Sequence, residues 1–175
     1  MERVAVPDVI SEAKLQEWIQ KYSTQILRTC FVWLRDRQQA EDAMQDTFIK
    51  AWKHIGDLER KKIQNEKAWL IRIAVNTCRD YRRTAWFRYI DSKAALESLP
   101  PRLTQTTEKD HDMMLTVCSL PDKFRQIILM YYYQGLTEQE TSQVLGISLS
   151  TAHRRLKKAE DLLRAELKGG ERHEG

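Results

Sequence analysis

Apolar side chains return every three or four positions through most of this chain, the spacing that lines one face of an α-helix. The pattern predicts helices over 12–35, 38–55, 66–86, 113–119, 122–134, 137–145 and 148–167. No stretch alternates apolar and polar residues as a half-buried strand would. The 6 glycines and 4 prolines are too few to punctuate a chain of short strands. Periodicity fails between 88 and 112. There Pro100-Pro101 rules out a continuous helix, and Thr104, Thr106 and Thr107 offer little to bury. An all-α protein follows, with two small helical domains over 12–90 and 113–168. A flexible linker over 91–112 joins them, and 169–175 forms a disordered tail.

The second domain ends in what reads as a helix-turn-helix. Thr137 with Glu140 three residues on forms a capping box, each side chain satisfying the other's backbone donor. Gly146 supplies the backbone freedom of a tight turn, and Ser148 is a favoured N-cap for the next helix. Around that helix Leu149, Ala152, Leu156, Ala159 and Leu163 share one face. Thr151, Arg154 and Lys158 point away from it, flanked by Ser150, Arg155 and Lys157. No acid interrupts Ser148 to Lys158. A packed back and a basic, hydroxyl-bearing front suit a DNA major groove. The competing reading is a solvated charged face, although such faces usually interleave both signs. Upstream, Pro121 and Asp122 open a helix that Gly135 closes. Within the run Tyr131-Tyr132-Tyr133, packing between helices is expected for at least one or two of the rings.

Two further faces stand out in the first domain. The helix over 38–55 buries Ala40, Ala43, Met44, Thr47, Phe48, Ala51, Trp52 and Ile55, and its other side begins with Glu41, Asp42, Gln45 and Asp46. Acids early in a helix complement its dipole, and spacing alone favours that solvated face, with a docking face for a partner as the sharper alternative. The helix over 66–86 carries Arg72, Asn76, Arg79 and Arg83 in one stripe, opposite Leu70, Ala74, Thr77 and Tyr81. That basic line offers phosphate anchors and an amide able to read a base edge. The polar stretch from Asp57 to Glu66 reads as a loop. With basic residues at 60–62 and Trp52 and Trp69 nearby in sequence, it has the ingredients of a single-strand pocket. Either tryptophan also reads as a plain core residue, and for Trp69 that is the default reading.

Charge sharpens this picture. The net charge of +4 hides a split: residues 1–90 carry 17 basic and 12 acidic side chains, 91–112 carry 3 and 5, and 113–175 carry 9 and 8. Two basic blocks flank an acidic middle, which favours a polyanionic partner. Cys30, Cys78 and Cys118 form no CxxC pair, and the histidines show no ligand spacing, so reduced thiols and no metal or cofactor are expected. No apolar run reaches membrane-spanning length, which implies no membrane insertion and an intracellular protein. Paired carboxylates, a Ser/His/Asp set and a phosphate-cradling glycine loop are absent from the pattern, so an enzyme is not expected.

Together these segments resemble the bacterial RNA polymerase sigma factors of the extracytoplasmic-function group. AEDAMQDTFIKAW (40–52) resembles the family's core-binding helix, and KAWLIRIAVNTCRDYRR (67–83) its −10 recognition helix. LPDKF, GLTEQETSQVLGIS and the basic helix after them resemble its −35 reader. The resemblance implies that 12–90 is a region 2-like domain and 113–168 a region 4-like domain. It implies that Glu41, Asp42, Gln45 and Asp46 meet the coiled coil of the polymerase β′ subunit. Arg72, Asn76, Arg79 and Arg83 then face −10 DNA, and the 57–66 loop captures a flipped base. Thr151, His153, Arg154, Arg155, Lys157 and Lys158 face −35 DNA. It further implies a cytoplasmic, non-enzymatic subunit that helps melt promoter DNA and is restrained by an anti-sigma protein. The sequence departs from the family's habit at Thr141-Ser142, where an Ile-Ala pair is common, at Arg154, where a small hydroxyl is usual, and at Leu58, often aromatic. A stand-alone helix-turn-helix regulator, using only the second domain on DNA, is the alternative that the residues leave open.

Overall fold

The computed structural model describes residues 9–83 and 108–171, and the described part is helical throughout. Helix α1 (Val9–Leu34) is followed by α2 (Arg37–Lys53), the short α3 (Asp57–Arg60) and α4 (Glu66–Arg82). The C-terminal half contributes α5 (Glu108–Ser119) and α6 (Asp122–Ile128), which runs into a π-helical turn at Leu129–Tyr133. Helices α7 (Glu138–Leu145) and α8 (Leu149–Glu171) complete it.

Helix α1 is the spine of the first half. Its aromatic residues Trp18, Phe31 and Trp33 and its aliphatic Ile26 and Leu34 are almost wholly buried, against Ala40, Ala43 and Ala51 of α2 and Leu70, Ile71 and Ala74 of α4. Small residues on α2 let the helices approach closely enough for large α1 side chains to fill the space between them. Polar groups fix the ends. Asp36 caps α2 by accepting from the Gln39 amide at 2.7 Å, and Asn65 caps α4 by accepting from Ala68 at 3.0 Å. The indole of Trp18 donates to Glu66 at 2.9 Å, tying the first turn of α4 to α1.

The expected capping box is present: Thr137 Oγ1 accepts from the Glu140 amide at 3.1 Å while Glu140 accepts from the Thr137 amide at 2.9 Å. Gly146 takes the left-handed conformation (φ 67°) that a tight turn between α7 and α8 requires. Ser148 Oγ accepts from the Thr151 amide at 3.2 Å, as an N-cap does.

Several expectations are corrected. Residues 57–60 form a helical turn rather than loop, because the Asp57 carboxylate binds both Arg60 and Lys61 and nucleates it. Helix α5 begins at Glu108, inside the span expected to be linker, and the rest of that linker lies outside the described residues. The expected tail is helical as far as Glu171, because α8 continues through Gly169-Gly170. Leu149, placed by periodicity on the packed face, is 51% exposed, because burial on α8 begins a turn later at Ala152. The helix expected over 122–134 changes pitch at Leu129. The Gln134 amide reaches back to the Leu129 carbonyl at 2.9 Å and the Leu136 amide to Met130 at 3.1 Å. A π-turn shifts the residues after it around the axis. It leaves Tyr132 exposed, Tyr131 and Tyr133 half-buried, and Gln134 turned inward.

Thr141 and Ser142 of α7 are buried, and they meet burial differently. Ser142 donates to the Gln139 carbonyl at 2.7 Å, whereas Thr141 Oγ1 has no hydrogen-bond partner among the described residues. A buried, unpaired hydroxyl costs about 1–3 kcal/mol. Thr141→Val keeps the shape and removes the hydroxyl, so it should raise unfolding stability by about 1 kcal/mol in urea titration. A loss of stability would mean that this hydroxyl is satisfied.

Candidate nucleic-acid interface

Helix α8 carries the C-terminal basic face. Ala152, Leu156 and Ala159 are buried, which turns His153, Arg154, Lys157 and Lys158 outward and leaves Thr151 and Arg155 half-buried at the edges. The acids nearest in sequence are drawn aside: Glu160 accepts from the Tyr132 phenol at 2.6 Å and Asp161 pairs with Arg164 at 3.5 Å. The bond to Glu160, with burial, raises the Tyr132 phenol to about 12. One acid does approach the face from another helix, where Glu138 of α7 lies 3.0 Å from His153 Nδ1. The hydroxyl of Thr151 accepts from Ser148 at 2.8 Å, so it is already engaged at the helix start.

Helix α4 carries the second face. Leu70, Ala74 and Thr77 are buried and Tyr81 half-buried, which leaves Arg72, Asn76, Arg79 and Arg83 exposed in their stripe. Arg83 leans toward Asp80 at 3.5 Å, and Arg79 donates to the Asn76 side-chain oxygen at 3.3 Å. Of the cluster at 60–62, Arg60 and Lys61 turn toward Asp57, whose carboxyl their contacts hold below its usual range. Half-buried Trp69 packs its ring on Trp18 at 5.6 Å between centroids, the core role. Trp52 is half-buried too.

The acidic face of α2 is uneven. Asp42 and Gln45 are exposed, with Asp42 accepting from Gln38 at 3.2 Å, and Glu41 pairs with Arg37 at 3.2 Å. Asp46 does structural work, accepting from the Tyr81 phenol at 2.6 Å. Burial and that bond together push the phenol far above its ordinary value.

Residues that the sequence pattern did not nominate, together with Arg79, join the two halves. Asp122, at the start of α6, meets Arg35 at 2.6 Å and Arg82 at 2.5 Å from the first half, and Arg125 of its own helix. Burial pushes the Asp122 carboxyl up, but the Arg82 bond and the charges of Arg125, Arg82 and Arg35 outweigh it and hold it below the usual range. A carboxyl depressed on folding stabilises above its unfolded pKa, and that contribution fades as pH falls through the folded value. Arg125, almost wholly buried, is pulled down to about 10, chiefly by desolvation. Gln134 is 1% exposed and its side-chain amide donates to the Gln25 carbonyl at 3.0 Å and to Thr29 Oγ1 at 3.1 Å, while its backbone carbonyl accepts from Lys67. Asn65 donates to Glu140 at 2.6 Å and Arg79 to the Leu145 carbonyl at 2.9 Å. Asp122 signalled only a helix start, and nothing local to Gln134 marks it.

Two basic helices of this order, the second in a helix-turn-helix, are the arrangement the sequence resemblance leads one to expect. Known proteins agree. Residues 18–88 match Sigma-70 region 2 and residues 118–165 match Sigma-70 region 4. The ECF RNA polymerase sigma factor SigL of Mycobacterium tuberculosis is 32% identical over 139 residues, covering 75% of this chain and 76% of SigL. The probable RNA polymerase sigma factor RfaY of Xanthomonas campestris is 28% identical over 142 residues. That match covers 76% of this chain and 35% of RfaY, so the chain spans about a third of that relative's length. The structure of CnrH in complex with the cytosolic domain of CnrY shares the fold, with a TM-score of 0.65, 23% identity and 90% of each chain covered. The chain belongs to the extracytoplasmic-function (ECF) RNA polymerase sigma factors, which direct promoter-specific transcription. A stand-alone regulator is thereby disfavoured, since region 2 is present as well as region 4.

Proposed function

We propose that the region 2-like half, over 12–90, binds core RNA polymerase and −10 DNA while the region 4-like half, over 113–168, reads −35 DNA. The observation that carries this reading is the pair of exposed basic faces, Arg72, Asn76 and Arg79 on α4 with Arg83 at its C-cap, and His153-Arg154-Lys157-Lys158 on α8, each backed by a buried stripe. Thr151 and Arg155 border the second. Glu41, Asp42 and Gln45 meet the β′ coiled coil, with Asp46 shaping that face through Tyr81. The bond chemistry belongs to the polymerase, so this subunit is no enzyme, and its place of action is the cytoplasm where that polymerase works. A restraining anti-sigma protein fits as a further partner, supported by family membership and by the fold shared with the sigma factor RpoE of Bartonella quintana, whose structure is a complex with the anti-sigma factor NepR.

In this reading Asn76 contributes to opening the duplex. Asn76→Ala should cut permanganate reactivity of the promoter bubble several-fold while leaving polymerase binding unchanged, because a lost base-edge contact is worth about 1–3 kcal/mol. Full bubble reactivity in the variant would remove Asn76 from the −10 face.

A further inference from the structure

The basic face of α8 receives one carboxylate from the neighbouring helix. Glu138, the first residue of α7, lies 3.0 and 3.2 Å from His153 Nδ1 through its two carboxylate oxygens. The capping box of Thr137 and Glu140 fixes the turn that carries Glu138, and burial of Ala152 and Leu156 fixes the turn that carries His153. An exposed pair of this kind adds little to stability. Its consequence is for the ring. A carboxylate only accepts, so the hydrogen in this bond belongs to Nδ1. In a neutral imidazole one nitrogen donates and the other accepts, and the bond made by the first decides which is which. With Nδ1 donating to Glu138, Nε2 carries a lone pair. That nitrogen has no hydrogen-bond partner among the described residues, and the side chain stays 53% exposed.

A helix-turn-helix reads base edges with the first turns of its second helix, and His153 stands there beside Arg154. In the major groove guanine offers only acceptors, which suit a guanidinium. Adenine N6 and cytosine N4 are amines, and they need an acceptor opposite them. Arg154, Lys157 and Lys158, the other outward cations of this face, only donate. The Thr151 hydroxyl already accepts from Ser148. His153 is therefore the one nitrogen acceptor among these side chains. We propose that Glu138 is a positioning residue for −35 recognition, locking His153 in the Nδ1–H form so that Nε2 accepts from the exocyclic amine of an adenine or cytosine. The inference rests on the assignment of α8 to −35 DNA.

The test has two readouts. Holoenzyme assembled from the full chain and core polymerase is given a duplex pool randomised over the −35 element, and the retained sequences are counted. The wild type should favour adenine or cytosine at one position about tenfold over guanine and thymine. Glu138→Ala should reduce that preference to about twofold or less. Total retention should not fall, because a negative charge has left the DNA face. His153→Arg should move the preference at the same position to guanine. Two-bond proton–nitrogen spectra of the full chain, with the ring signal assigned by its loss in His153→Arg, report which nitrogen carries hydrogen. The wild type should show it on Nδ1, and Glu138→Ala should show a mixture of the two forms. Hydrogen on Nε2 in the wild type would overturn the locking. A preference undiminished in Glu138→Ala would overturn the role of the carboxylate in recognition. If His153→Arg alters no position while Arg154→Ala does, His153 lies outside the groove, and the inference falls with the −35 assignment intact. If neither variant alters any position, the assignment of α8 itself fails.

Discussion

Exchanging Glu41 and Asp42 together for lysine should weaken binding to core RNA polymerase by about 2–5 kcal/mol, thirtyfold or more, with the helices intact. The two carboxylates stand on the first turns of α2, and their bonds to Arg37 and Gln38 are surface pairs one helical turn apart. Such pairs contribute a few tenths of a kcal/mol each, so the fold should lose less than about 1 kcal/mol. Asp46 is left out of this variant deliberately. Reversing it would strand the Tyr81 phenol, which it accepts at 2.6 Å, and would mix a packing defect with a docking defect. Titration of labelled protein with purified core polymerase measures the change. Unaltered affinity would show that the polymerase grips another surface.

The second large effect is expected at the start of the basic helix. Arg154 is exposed on α8, next to His153, whose ring is held by Glu138. A guanidinium can fork onto guanine in the major groove. Arg154→Ala should therefore cost about 1–3 kcal/mol on the preferred −35 sequence and relax preference at one base pair. Lys158→Ala, removing a point charge without a fork, should weaken all duplexes alike and flatten the salt dependence by about one charge. Binding to a panel of single-position −35 variants distinguishes the two. Equal losses on every duplex for Arg154→Ala would make it a phosphate contact.

Local chemistry made much of this fold legible. The Thr137–Glu140 box, the Gly146 turn and the 3.6-residue stripes of α4 and, from Ala152 on, of α8 each depend on residues within a few positions, and each is found where the pattern put it. Errors cluster where a distant or backbone-level term decides. Asp57 gathers two neighbouring cations and turns an expected loop into a helical turn. The π-turn at Leu129–Tyr133 inserts a residue that no apolar period reports, and it carries Gln134 from a helix end into the interface. Asp46 looks from its neighbours like one more solvated acid, and only the fold brings Tyr81 to it. Asp122 is the clearest case. Beside Pro121 it satisfies a helix start, so its sequence context is already explained. Its bonds to Arg35 and Arg82 span 87 and 40 residues, beyond the reach of any local rule.

Start-site mapping of transcription in vitro tests the central claim most directly. Purified core polymerase is supplied with a genomic fragment library, with and without this chain, and the 5′ ends of the transcripts are compared. The chain should create a new set of starts that share upstream elements near −35 and −10. Those starts should be lost with Arg154→Ala through the first element and with Asn76→Ala through the second. An identical set of starts with and without the chain would contradict the account.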